Sequence, residues 1–452
     1  MRVVHVPFGY FPDPVGGTEV YVAELARGLG ARGVESTVAA PTARAGTERY
    51  EHDGVAVRRF SVDPHASVGE LYGEGDPAAA KAIGAILDDV RADVLHLHAF
   101  TRAASLRAAR LARRQGVAVV FTYHTPTASC VRGTLLHEGR EPCDGTLIAQ
   151  RCTSCLLESR GVPMAVREAL SRAPAALGVA VGSAGASGRW ATALRARELT
   201  VARHDAFRHL LLEADAVVAV CEWARSLLLR AGAVPSRLVL SRQGTPHQPP
   251  LQRERRPSGD ALRLAFVGRL HPTKGVHVVL AALRQQRDVP VTFDVYGVVQ
   301  DADGRDYRDK LVEHAADDAR IRFREPVPAQ HVVETLADYD ATVVPSQWLE
   351  TGPLTVLESF SAGVPVIGSN LGGIAELVAH DRNGWLVPYA DERAWGTALA
   401  HLATNRGVVD RLRAGVRRPR STDDVARDMV SVYEAIVPRP LSRSAGIPAG
   451  VA

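Results

Sequence analysis

Two doubly wound α/β domains facing each other across a cleft are the fold class this 452-residue sequence predicts. Three observations lead there. Short apolar runs alternate with helical periodicity from the first residues, the alternation breaks at a proline-rich stretch near residues 246–260, and a second alternating series then begins. The length allows two domains of about 200 residues each. Apolar residues make up 46% and charged ones 23%, an ordinary globular composition that excludes wholesale disorder. Lys+Arg 54 against Asp+Glu 50 leaves only +4, which gives no reason to expect a nucleic-acid partner.

In order, the first series reads as strand Val3–Val6, helix Thr18–Ala31, a helix whose apolar face is Ile83, Ile86, Leu87 and Val90, strand Val94–Leu97, helix Leu106–Arg114 and strand Val117–Thr122. From residue 126 to about 196 the pattern is interrupted, so this segment is read as an insertion. It holds Cys130, Cys143, Cys152, Cys155 and an uncharged stretch, Ala173–Gly188, too short to span a bilayer. The pattern resumes with strand Ala216–Val220, helix Glu222–Ala231 and strand Arg237–Leu240. These assign 1–245 to the first domain and 246–260 to a linker. The second domain, 261–420, reads as strands Leu262–Val267, Val291–Tyr296, Arg320–Phe323, Ala341–Val344 and Pro365–Ile367, interleaved with helices. Residues 421–437 form a helix expected to cross back to the first domain, and 438–452 a frayed tail. Met1-Arg2 leads straight into an apolar strand with no secretory pattern, which sets the expectation of a cytoplasmic protein, with peripheral contact at the inner face of a membrane left open.

The chemistry-bearing residues sit at the ends of second-domain strands. Gly268-Arg269-Leu270 follows a strand and Lys274-Gly275 opens the next helix. Only three lysines occur in the chain, so an arginine and a lysine here suit a diphosphate. In Glu350-Thr351-Gly352-Pro353-Leu354-Thr355, Pro353 is read as the first helical position, which would point the amides of Leu354 and Thr355 into the cleft. Glu350 and Glu358 are acceptors suited to sugar hydroxyls. Taken singly, a solvated loop and two surface acids explain these residues as well.

Taken together, Gly268-Arg269-Leu270, Lys274-Gly275, Glu350 with Glu358, Ser361-Ala362-Gly363-Val364-Pro365-Val366, Gly372-Gly373-Ile374-Ala375-Glu376 and Asn383-Gly384 closely resemble the donor-binding half of the retaining glycosyltransferases of family 4. Gly16-Gly17, Asp93–His98 and His124 resemble its N-terminal half more loosely. The resemblance implies the GT-B architecture of two Rossmann-like domains and transfer of a sugar, of hexosyltransferase type, from a nucleotide-diphosphate sugar to an acceptor hydroxyl with retained configuration. It implies that Arg269 and Lys274 hold the diphosphate, Glu350 the donor sugar and Glu358 the ribose, that Gly268, Gly352, Leu354 and Thr355 line the donor, and that Gly16 and Gly17 admit the phosphate. His124 becomes the cleft histidine and His98 an acceptor-side residue. Preorganised cations would do the electrostatic work, so no catalytic metal is expected. Polysaccharide, glycolipid or small-molecule glycoside assembly is the implied setting. Gly297-Val298-Val299 departs from the usual pair of spaced glycines beside the nucleotide, which leaves the base open. A nucleotide-sugar epimerase and a non-catalytic nucleotide-sugar-binding subunit are the alternatives, and a glycoside hydrolase would need no diphosphate clamp.

The cysteines form C-x12-C-x8-C-x2-C. Four thiolates suit a closed zinc site, with an iron–sulfur cluster as the rival and disulfides as the bland reading. Their place directly after His124 suggests a lid or acceptor platform of structural role. Cys221, at an apolar strand end, reads as inert core. Arg160, Arg167, Arg172 and Arg189 read as solvated or as contacts for anionic lipid.

Overall fold

The computed structural model describes residues 1–13, 16–42, 44, 46–63, 65–186, 188–246 and 261–437. Most of the expected linker and the whole expected tail therefore lie outside the described residues.

The first sheet is built from β1 (Arg2–Val6), β2 (Glu35–Thr42), β3 (Glu48–His52), β4 (Val55–Ser61), β5 (Val94–Leu97), β6 (Ala118–Tyr123), then, beyond the β7–β8 hairpin (Leu136–His137 and Glu141–Pro142), β9 (Ala216–Ala219) and β10 (Leu238–Leu240). Its order is β10-β9-β6-β5-β1-β2-β4-β3, parallel except for the antiparallel edge strand β3. The near-continuous apolar runs of its inner strands follow from helices covering both faces. The second sheet holds β11 (Leu262–Arg269), β12 (Val291–Val298), β13 (Ile321–Arg324), β14 (Ala341–Val344), β15 (Val366–Ser369) and β16 (Gly384–Val387), all parallel, in the order β13-β12-β11-β14-β15-β16. Both domains are thus Rossmann-like, with the strand order reversing beside β1 in the first and beside β11 in the second. Such switch points open crevices at the strand C-termini.

The terminal helix, Thr422–Ile436, packs on the first helix, Gly17–Gly30. Val425, Ala426, Met429 and Tyr433 join the core of the first domain, and a Cβ on Gly28 would come within 2.9 Å of the Ala426 Cβ. Tyr433 also bonds His96 at 2.7 Å beneath the sheet edge. The insertion is largely helical: Ala149–Glu158, Met164–Arg172, Ala175–Ser183 and Arg189–Leu194 follow the β7–β8 hairpin and lead into the long helix Ala196–Glu213.

Candidate active site between the two domains

Arg269 ends β11, at the switch point between β11 and β14. The chain then makes a short turn, Pro272–Lys274, and Gly275 enters the next helix with φ +74°. Any side chain on Gly275 would collide with the Pro345 carbonyl, so glycine is what lets this turn lie against the loop after β14. The approach puts Lys274 onto Glu350: Nζ donates to Oε1 at 2.6 Å, and the Ser346 hydroxyl donates to the same oxygen at 2.8 Å. Burial pushes the Glu350 carboxyl up, but the Lys274 charge and the two hydrogen bonds outweigh it and hold the group ionised. Gly372 and Gly373 seat the Glu350 backbone, the Gly373 N–H donating to the Glu350 carbonyl at 2.7 Å. Arg269, half-buried, has no ion-pair partner among the described residues.

The helix after this loop runs Leu354–Ser361. Pro353 stands at its N-cap, with ψ 106°, one place earlier than the sequence reading put it, because its backbone is still extended. No side chain caps this start, so its first amides are available to an anion. Thr355 ties the first turn to β11 through the Val267 carbonyl at 3.2 Å. Glu358 lies farther along, and burial pushes its carboxyl up to about 7. Its environment is separate from that of Glu350, and the two carboxylates do not share a proton.

From the first domain, Gly16-Gly17 reaches this same helix start. A Cβ on Gly17 would lie 3.6 Å from the Leu354 side chain, and one on Gly352 would lie 2.5 Å from the Gln243 amide oxygen. Glu19 reaches back to accept the Gly16 N–H at 2.8 Å. The Glu19 carboxylate thus takes the backbone donor that the resemblance offers to a phosphate.

His124 follows β6 and is buried, with its carbonyl accepting from the Thr351 hydroxyl of the other domain. Its Nε2 meets His98 Nδ1 at 3.1 Å, His98 Nε2 meets His5 Nδ1 at 3.0 Å, and His5 Nε2 meets Ser36 at 3.3 Å. Burial brings His124 and His5 down to about 3 and lowers His98 as well, so the row is uncharged at neutral pH. His124 Nδ1 is buried and has no hydrogen-bond partner among the described residues, the open end of the row. His98 is fully buried, between His124 and His5 in this row. Sequence reasoning missed His5, Glu19 and the interdomain contacts. Glu376 pairs with Arg242 at 2.6 Å and accepts the amides of Glu222 and Trp223 at 2.9 and 2.8 Å, while the Trp223 indole donates to the Glu350 carbonyl at 2.8 Å.

The four cysteines come from one small unit. Cys130 follows the Pro126–Ala128 turn, Cys143 the β7–β8 hairpin, and Cys152 and Cys155 lie one turn apart on Ala149–Glu158. All are free thiols; burial raises Cys143, Cys152 (to about 11) and Cys155. Among the described residues, the group of ligand atoms drawn within 4.8 Å of one another is His5, His96 and His98, so the sulfurs are less tightly gathered than that. Both nitrogens of His96 are already bonded, to Tyr433 and Thr122 at 2.7 Å each.

Residues 16–244 match the glycosyl transferase 4-like domain, and residues 249–418 match the glycosyl transferases group 1. The chain belongs to this glycosyltransferase family. The D-inositol 3-phosphate glycosyltransferase of Thermobispora bispora is 27% identical over 418 residues, 89% of this chain and 85% of that protein. WcaL of Salmonella typhimurium, named for colanic acid biosynthesis, is 26% identical over 240 residues, 51% of this chain, and the match spans 59% of WcaL. Among solved structures, the sucrose-phosphate synthase of Thermosynechococcus elongatus superposes with a TM-score of 0.65 at 18% identity, and Anabaena HepE, solved with UDP and glucose, with 0.59 at 16%; each pairing covers 96% of this chain and 98% of the other. These likenesses establish the two-domain GT-B fold of this family member. No described helix is long and apolar enough to cross a membrane.

Proposed function

We propose that this glycosyltransferase family member transfers a sugar, with retained configuration, from a nucleotide-diphosphate sugar to an acceptor hydroxyl. The observation that carries the reading is the cationic corner at the second switch point. Arg269 has no ion-pair partner among the described residues, Lys274 is paired with Glu350, and the uncapped helix start at Leu354 is tied to β11 through Thr355. Arg269, Lys274 and the amides of Leu354 and Thr355 hold the diphosphate and stabilise the charge it gains as the bond to the sugar breaks. Glu350, kept ionised, accepts donor-sugar hydroxyls, and Glu358 the ribose hydroxyls. Gly16, Gly17, Gly268 and Gly352 give the donor backbone-close access, and His124 Nδ1 offers a neutral polar contact to the sugar. The acceptor oxygen attacks from the face the diphosphate leaves, and its proton passes to the departing phosphate oxygen, so no protein nucleophile is required.

The setting that accompanies this reading is cytoplasmic assembly of a polysaccharide, glycolipid or glycoside. The cysteine unit holds a structural zinc, with an iron–sulfur cluster as the rival. Its support is that four thiols are carried by one turn–hairpin–helix unit that follows His124 in the chain, and binding would draw the sulfurs inward. The catalytic charge comes from Arg269 and Lys274, so the reading includes no catalytic metal.

Thermal melting with UDP, GDP, ADP and TDP tests the reading. At about 100 times its dissociation constant, the cognate diphosphate adds about 2.7 kcal/mol and raises the midpoint by several degrees. Arg269→Ala removes that rise. A rise retained in Arg269→Ala, or conversion of the nucleotide sugar to an isomer with no acceptor present, overturns the assignment; the second outcome describes an epimerase.

A further inference from the structure

We propose that the helical part of the insertion, residues 160–197, is a docking surface for an anionic lipid bilayer. The first observation is apolar exposure. Among the described residues, half of the exposed large apolar side chains fall between Met164 and Leu194: Met164 is 69% exposed, Trp190 80% and Val179 52%, with Val166, Leu177 and Leu194 beside them in sequence. The helix Ala175–Ser183 carries no charge at all. It turns Gly178 and Gly182 toward Glu198 and Arg195 of the long helix and leaves Ala176, Leu177, Val179 and Ala180 in water. A helix that is apolar all round normally has every side covered, and here one side has no cover.

The second observation is charge. Residues 160–197 hold six arginines against one acid, Glu168; Arg167 pairs with Glu138, Arg172 with Glu168 and Arg195 with Glu198, which leaves Arg160, Arg189 and Arg197 without an ion pair among the described residues. Arg172 and Arg189 bracket the uncharged stretch. Arg189, next to Trp190, has no ion pair among the described residues. An exposed tryptophan and bracketing arginines around an apolar face are the composition of a helix lying in the plane of a bilayer, its cations at the headgroups. A second copy of this chain docked on the same face would bring like charges together, which favours anionic lipid as the occupant.

The surface also borders a cavity of about 300 Å³ lined by Phe8, Tyr72, Phe100, Cys130, Arg132 and Arg203, among others. Arg160 donates to the Tyr72 hydroxyl in its wall at 2.9 Å. If the transfer reading above holds, a lipid-linked acceptor is the substrate class this placement suits; docking itself does not depend on that reading.

The test is co-sedimentation of the full chain with vesicles of phosphatidylcholine alone and with vesicles containing roughly a third phosphatidylglycerol. Wild type is expected to pellet with the anionic vesicles and to be released by high salt. Leu177→Ser/Val179→Ser/Trp190→Ser and Arg172→Gln/Arg189→Gln are each expected to weaken partition roughly tenfold or more, while nucleotide-induced melting shifts stay at the wild-type value. That second readout separates lost docking from lost folding and from failure of the transfer reading. No pelleting of wild type, or variants that pellet like wild type, overturns the proposal. So does vesicle-free self-association that disappears in the Trp190 variant, because the face would then belong to a second copy.

Discussion

Glu350 owes its ionised state chiefly to Lys274, and that dependence can be measured. Removing Lys274 leaves a buried carboxylate whose remaining hydrogen bonds no longer offset its lost hydration. Lys274→Met should therefore cost about 3 kcal/mol, the lower end for breaking a buried pair because the ammonium is partly exposed. For a domain of this size that is a fall in the melting midpoint of roughly 6–12 °C. Lys274→Met/Glu350→Met should recover most of the stability, since two apolar side chains leave no stranded charge, yet recover none of the turnover. Calorimetry and a donor-consumption assay check both halves, and a single variant that melts like wild type would show the pair to be incidental. Both residues were legible in the sequence as candidates. Their pairing was not, because it spans 76 positions and depends on the close approach permitted at Gly275.

At the scale of elements, strands flanking the two switch points were readable because their apolar runs are short and their loops carry glycine. The outer strands β2–β4 and β16 were missed: β3 is polar and exposed, and β16 opens on a glycine at the sheet edge. The insertion was legible as a break and illegible as helices, since its Ala, Gly and Arg show no clean period. Its stability is where the cysteines count. With a structural metal supplying folding free energy, Cys152→Ser should melt the hairpin and the helix Ala149–Glu158 as a separate low-temperature transition. Wild type should contain near-stoichiometric zinc and be colourless, and the variant should lose the metal and its acceptor-dependent turnover while the second domain keeps its nucleotide-induced stabilisation. Elemental analysis, the visible spectrum and melting with the cognate diphosphate read these out. A brown wild-type protein would hand the site to an iron–sulfur cluster, and joint loss of donor binding and acceptor use would refute the separation of roles.

For the whole molecule, the two-domain plan was legible because the alternation stops and restarts, whereas the interface was not. It includes contacts such as Trp223 with Glu350 and His124 with Thr351, 127 and 227 positions apart, which no local pattern encodes. Those contacts gather on the loop that carries the candidate chemistry. Glu376 meets Arg242 and the first amides of the helix Glu222–Ala231, where a carboxylate gains from the helix dipole, and the Trp223 indole on that helix holds the Glu350 carbonyl. The loop that carries Glu350 is therefore held by the first domain as well as by its own. Glu376→Gln keeps a hydrogen-bonding side chain but removes the charge facing Arg242, a loss on the order of 1–3 kcal/mol against the closed state. That should raise the open population, seen as a larger radius of gyration by X-ray scattering, and lower turnover at saturating substrate. In the transfer reading proposed above, the diphosphate is held mainly by Arg269 and Lys274 of the second domain, so its affinity should change by only about threefold or less. Affinity and turnover falling together would mean that Glu376 shapes the donor site directly. An unchanged radius with normal turnover would reduce it to a helix cap.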